Sequence, residues 1–181
     1  LFRSMNQGGN LTLNGTSNGS YGVNFDGTAN VVLNGGAVAN ITGTTSNSTG
    51  ISFTSAATLS LNSSSLSLNG TSTTGTGLAF SGVSTINLNA GSSIQASGTA
   101  ATGKGVLFTG GTFNNNGTAA LNITGVASSA TSGTGISLRS GNYSFSGPVN
   151  LIGTGRSYGF ATSGDANIAV TNGNLSLSGT T

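Results

Sequence analysis

The sequence predicts an all-β protein, a parallel β-helix (β-solenoid) with three strands per rung, about 27–28 residues per rung and about six rungs. Three observations predict it. First, a motif of two apolar residues two apart, closed by Gly and usually Thr, returns at Gly15, Gly43, Gly70, Gly98, Gly125, Gly153 and Gly179, with spacings of 28, 27, 28, 27, 28 and 26 residues. Second, Gly-aliphatic-x-aromatic follows at Gly22–Phe25, Gly50–Phe53, Gly77–Phe80 and Gly105–Phe108, with a near copy at Gly135–Leu138 and a looser one at Tyr158–Phe160. Third, apolar residues lie two apart throughout and no helical period occurs. Two-residue alternation marks strands with one buried face, and a fixed period of 20–50 residues marks a repeat architecture.

Each repeat reads as three short strands. In the second they are Ile51–Phe53, Thr58–Leu61 and Ser65–Leu68, separated by the Gly, Asn, Ser and Thr that turns use. The middle strand carries pairs such as Leu59/Leu61, Ile86/Leu88, Tyr143/Phe145 and Ile168/Val170. A three-strand turn buries nothing alone, but turns stacked ~4.8 Å apart cover each other's apolar faces. A propeller blade needs four strands and a longer repeat.

Stacking predicts columns. Phe25, Phe53, Phe80, Phe108 and Leu138 are expected to form one core ladder, and Leu11/Leu13, Leu66/Leu68 and Leu175/Leu177 another. Asn14 and Asn69 are placed where a turn begins, with their side chains stacking between rungs. An ice-binding face would need a regular Thr-x-Thr array. The pairs Thr42/Thr44 and Thr71/Thr73 are assigned to turns, so none is expected.

Composition narrows function. Of 181 residues, 3% are charged: four Lys or Arg and two Asp, with no His and no Cys. A charge in a stacked column would meet its own copy in the next rung and be repelled. The same scarcity argues against an enzyme: Asp26 and Asp165 lie far apart in the repeat, and no His, Cys or Glu is present to supply acid–base or nucleophilic chemistry. No metal site and no cofactor is expected. Four cations are too few for a nucleic-acid face, and no apolar run is long enough for membrane insertion. Absence of Cys suits a chain exported unfolded through an oxidising space. Residues 1–181 read as a single β-helical repeat domain, expected to be a fragment of a longer chain because the pattern is still running at Thr181.

The sequence of G-[V/I/L]-x-F, then L-x-L-N, then L-x-L-N-G-T, resembles the repeat regions of filamentous-haemagglutinin-like bacterial adhesins, which include two-partner-secretion exoproteins and autotransporter passengers. The resemblance covers essentially the whole chain. It implies a rod on the outer surface of Gram-negative cells, serving adhesion or display at a distance. Some members bind host or glycan receptors, and others form the extended stick of contact-dependent growth-inhibition effectors. The partners implied are a host-cell, bacterial-cell or glycan receptor, and outer-membrane secretion machinery during export. No catalytic residue is implied.

One column departs from uniformity. The residue before the strand-opening Gly is Tyr21, Thr49, Thr76, Lys104, Thr134 and Tyr158 in successive rungs, and Arg156 lies two residues from Tyr158. Tyr and Arg are favoured in contact surfaces, although a tolerated turn decoration gives the same pattern. The fourth repeat breaks down near Phe113, where Asn114-Asn115-Asn116-Gly117 lacks an apolar partner, and the loop 127–134 is the longest of its class. Lys104 and Arg156 are expected in equivalent turns one rung to either side of that loop. Lys104, Arg156, Tyr158 and Tyr21 are therefore the candidate ligand-contact surface, with the loop between them.

Overall fold

In the computed structural model, which describes residues 8–82, 84–116 and 118–181, the chain is a β-solenoid. Leu1, Arg3 and Gly117 lie outside the described residues. The first three rungs comprise β1 (Asn10–Ser17), β2 (Val23–Phe25) and β3 (Asn30–Asn34); β4 (Val38–Thr45), β5 (Thr49–Phe53) and β6 (Thr58–Asn62); and β7 (Ser65–Ser72), β8 (Thr76–Ser81) and β9 (Thr85–Leu88). The next three are β10 (Ser93–Ala100), β11 (Lys104–Thr109) and β12 (Gly111–Asn115); β13 (Ala120–Ala127), β14 (Thr134–Leu138) and β15 (Gly141–Ser146); and β16 (Val149–Gly155), β17 (Tyr158–Thr162) and β18 (Ala166–Thr171). The chain closes with β19 (Leu175–Thr180).

Strands three apart pair in parallel and build three sheets. The long sheet runs β1-β4-β7-β10-β13-β16-β19, the aromatic sheet β2-β5-β8-β11-β14-β17, and the asparagine sheet β3-β6-β9-β12-β15-β18. The register is set by the repeat. All seven motif glycines fall opposite one another, as do the Leu11 and Leu13 columns through to Leu175 and Leu177.

The phenylalanine ladder forms as expected. Phe25–Phe53, Phe53–Phe80 and Phe80–Phe108 stack with centroids 4.7, 5.2 and 5.1 Å apart and planes within 10° of parallel. Leu138 pairs with Phe108 and continues the column. Parallel strand spacing fixes the ring separation, so each of the first four rungs lays one ring on the last.

Three local expectations are corrected. The Gly-Thr of the motif lies inside a strand, because the long-sheet strands run past it to Ser17, Thr45, Ser72, Ala100 and Ala127. The reason is close packing. A Cβ on Gly43, Gly70 or Gly98 would collide with the carbonyl oxygen of Gly50, Gly77 or Gly105, so the two glycine columns let the long and aromatic sheets meet backbone to backbone. Thr42, Thr44 and Thr71 are consequently strand residues, and Thr16, Thr44, Thr71, Thr99, Thr154 and Thr180 share an outward column broken by Val126. Only β4 carries Thr at both outward positions of that pair of columns.

Asn14 and Asn69 do not stack on each other, since Thr42 stands between them. The asparagine ladder sits at the end of the middle strand instead. Asn62 Nδ2 donates to Asn34 Oδ1, Asn89 Nδ2 to Asn62 Oδ1, and Asn116 Nδ2 to Asn89 Oδ1 (3.3 Å). Tyr143 and Phe145 form an inward pair in register with Ile168 and Val170, offset by two residues from the pairs of the earlier rungs. Phe145 aligns with Phe113, Ile86, Leu59 and Val31, whereas Tyr143 faces Gly111. Its ring is buried, and its hydroxyl accepts from the Gly110 N–H (3.0 Å) and points at the Arg139 carbonyl (2.6 Å).

Candidate functional site

The aromatic sheet brings the predicted contact residues partly together. Thr49, Thr76, Lys104, Thr134 and Tyr158 are successive register partners, so the column read from the sequence is real. Lys104 opens β11 and Tyr158 opens β17, two inter-strand steps or ~10 Å apart. Tyr158 is 59% exposed. Arg156 is exposed in the bend after β16, outside the column, so Tyr158 and not Arg156 is the register equivalent of Lys104. Gly155 pairs with Ala127, which places Arg156 beside the root of the long loop.

Tyr21 lies just before β2, with Gly22 N–H bonded to Thr49 O. It is exposed but three inter-strand steps from Lys104, ~14 Å along the axis, and is not part of the same patch.

The loop between β13 and β14 is organised locally. Ser129 Oγ accepts from the N–H groups of Thr131 and Ser132, both at 3.2 Å. Ser128 N–H is held by Ala100 O and Thr134 N–H by Gly103 O, so both ends of the loop keep the rung register while its tip projects. Gly133 O accepts from Ser157 N–H (2.9 Å), tying the loop to the Arg156–Tyr158 turn above it. Extra residues in a stacked repeat have nowhere to go but outward.

Electrostatics follow from burial. Lys104 is partly covered, and burial lowers its pKa, with the nearby Arg139 charge acting in the same direction. The Asp26 carboxylate is held below its ordinary range by Thr54 Oγ1 and then by Gly27 N–H, both donating at 2.7 Å. Thr54 is the residue of the next rung, so a single charge is served by a neutral neighbour where a second Asp would repel it. Burial raises the Tyr143 pKa.

The sequence reading missed one feature, the inward turn of Asn115. It is 1% exposed and occupies the position that Leu88 fills one rung earlier. The unbroken Asn114–Asn116 run was the available signal, but which of the three points inward depends on a single-residue register. Comparison with known protein families, with curated proteins and with solved structures finds no match to this chain.

Proposed function

We propose that this chain is a structural and adhesive rod segment of an exported bacterial surface adhesin, and that it is not an enzyme. The observation that carries the reading is the one-dimensional stack: three parallel sheets in continuous register, whose length grows with each added repeat. Its outward columns are mainly Ser, Thr and Asn, which keep such a rod soluble without charge ladders. The resemblance of the repeat to filamentous-haemagglutinin-like proteins supports the surface location and passage through outer-membrane secretion machinery.

A second reading, a segment that docks a specific receptor on a host or neighbouring cell, is favoured by the loop at 128–133 and by Lys104 and Tyr158 on either side of it. The experiment is cell adhesion by the purified chain and by the triple variant Lys104→Thr, Arg156→Thr, Tyr158→Thr. Thr already fills the Lys104/Tyr158 column in three rungs, so the variant should fold as the parent does. Loss of adhesion supports the docking reading. Unchanged adhesion removes this patch as the contact, and no adhesion by either protein leaves a spacer.

A further inference from the structure

Six Asn-Gly pairs occur in the chain: Asn14-Gly15, Asn18-Gly19, Asn34-Gly35, Asn69-Gly70, Asn116-Gly117 and Asn172-Gly173. In such a pair the backbone nitrogen that follows can attack the asparagine side chain, because glycine puts no side chain in the way. The attack closes a five-membered ring only when the backbone swings the glycine nitrogen toward the asparagine Cγ. An extended strand points it elsewhere, so the fold sorts pairs that the sequence leaves equal.

Most of the pairs are held out of reach. Asn14-Gly15 and Asn69-Gly70 lie inside β1 and β7. A Cβ on Gly15 or Gly70 would stand 1.9 or 2.1 Å from the Gly22 or Gly77 carbonyl oxygen, so neither backbone has room to turn. Asn34 ends β3 with its side chain bonded to Asn62, and Gly35 N–H donates to the Asn62 carbonyl at 3.1 Å. Asn172-Gly173 lies outside the strands, but Gly173 is seated on Gly147, where a Cβ would come within 2.2 Å of backbone. Asn116-Gly117 stands apart, since Gly117 lies outside the described residues.

Asn18-Gly19 differs in each respect. It occupies the exposed bend between β1 and β2. A Cβ on Gly19 would meet nothing within 4 Å, and among the described residues the Gly19 N–H bonds to no protein group. The bend is anchored on either side of the pair. Ser46 N–H donates to the Ser17 carbonyl (3.3 Å), and Thr45 Oγ1 donates to the Ser20 carbonyl (2.7 Å). Across the peptide that must turn there is one exposed bond, from Asn47 Nδ2 to the Asn18 carbonyl at 3.1 Å. An exposed bond of this kind exchanges for water at little net cost.

We propose that Asn18 is a site of spontaneous deamidation, the one Asn-Gly pair among those described that reacts in the folded chain. The Gly19 nitrogen gives its proton to solvent base and attacks Asn18 Cγ. The new Cγ–N bond closes a succinimide as the Cγ–Nδ2 bond breaks, and Nδ2 takes a proton from water and leaves as ammonia. Water then opens the ring at either carbonyl, leaving an ordinary aspartate or an isoaspartate. Each event adds one negative charge to a chain of net charge +2. The residues that follow the register partners of Ser17 are Ser46 and Thr73, so the new carboxylate meets no like charge and the stack tolerates it. Asp26-Gly27 could close the same ring but is checked by charge. The Asp26 carboxylate is held ionised by Thr54 and Gly27, and an ionised carboxylate offers no leaving group.

The test ages the purified full chain at mildly alkaline pH in heavy-oxygen water and maps the products by peptide mass spectrometry, with isoaspartate scored by enzymatic methylation. A denatured sample aged in parallel gives the rates set by sequence alone. In the folded chain, aspartate and isoaspartate carrying heavy oxygen are expected at residue 18. Their rate should exceed that at Asn14, Asn34, Asn69 and Asn172 by at least about tenfold, because local opening of a packed segment is a rare event. In the denatured chain these five pairs should react at comparable rates. Gly19→Ala should slow the reaction at Asn18 several-fold and leave the melting transition in place, since an added Cβ there meets nothing. An unreacted Asn18 in the folded chain, folded-state rates as even as the denatured ones, faster reaction at any of the other four pairs, or a Gly19→Ala variant that reacts at the parent rate would each overturn the proposal.

Discussion

Phe80 is 1% exposed between the rings of Phe53 and Phe108, and the edge of Phe113 closes a third side. Neighbouring rungs are held apart by backbone hydrogen bonds, so they cannot collapse into the space that Phe80→Ala would leave. The substitution is expected to lower stability by roughly 3–5 kcal/mol, read in a denaturant or thermal melt. A melt that does not move would show that the ladder contributes nothing. Gly70 tests the opposite failure. Its missing Cβ is what admits the Gly77 carbonyl, so Gly70→Ala forces the two sheets apart and should cost about 1–3 kcal/mol. Gly19→Ala, where an added Cβ meets nothing, should be neutral in the same assay. The Phe column could be read from the sequence because a large aromatic has one comfortable place in a strand repeat. The purpose of Gly70 could not, since glycine serves turns and close backbone contacts alike and only the facing sheet distinguishes them.

At the scale of the element, the asparagine ladder joins β3, β6 and β9 beyond their backbone pairing. Asn62 sits in its middle, donating to Asn34 and accepting from Asn89. Asn62→Ala removes both bonds, each worth about 0.5–1.5 kcal/mol net. Hydrogen exchange should accelerate in the turn after β6 and in its neighbours, while the long sheet is unaffected; uniform acceleration would mean that the ladder is not a local clamp. The three strands per rung and their order were legible because apolar alternation is strict within each. Strand ends were not, because Ser, Thr, Asn and Gly fill both the turns and the outward strand positions. That ambiguity put the Asn stack at Asn14 and Asn69 and moved Thr44 and Thr71 out of the strands. The candidate patch was half legible for the same reason. Lys104 and Tyr158 share a column marked by the following Gly, whereas Arg156, in an irregular bend, has no such marker.

At the scale of the whole molecule, stability should be graded along the stack. The final strands have a neighbour on one side only, and Val170 and Leu177 are 40% and 44% exposed there. Nearest-neighbour coupling makes such a rung the first to open. Amide exchange in β18 and β19 should therefore be faster than in β6 through β10, and protection that is lowest in those middle strands would contradict the stack.

The pH response belongs to this scale too, because so few groups titrate. With no His, Cys or Glu, no side chain has an ordinary pKa between about 5 and 8. Folded and unfolded chains then bind nearly equal numbers of side-chain protons across that interval, and the melting temperature should be flat from about pH 5 to 8. On the acid side the lowered pKa of Asp26 sets the sign. A depressed carboxylate stabilises the fold above its unfolded pKa, and the contribution disappears as pH falls through the folded value. Thr54→Val removes the main hydroxyl donor to Asp26 and should shift the acid edge upward. On the alkaline side two groups oppose each other. Lys104 releases its proton earlier in the folded chain, which raises stability as pH climbs toward the ordinary lysine range. Tyr143 is held neutral by burial, so stability falls once the unfolded tyrosine ionises near pH 10. Melting Lys104→Thr and Tyr143→Phe separately from pH 8 to about 11 resolves the two. The first should steepen the alkaline loss and the second should remove part of it, and a reversed order would mean that burial does not govern either group.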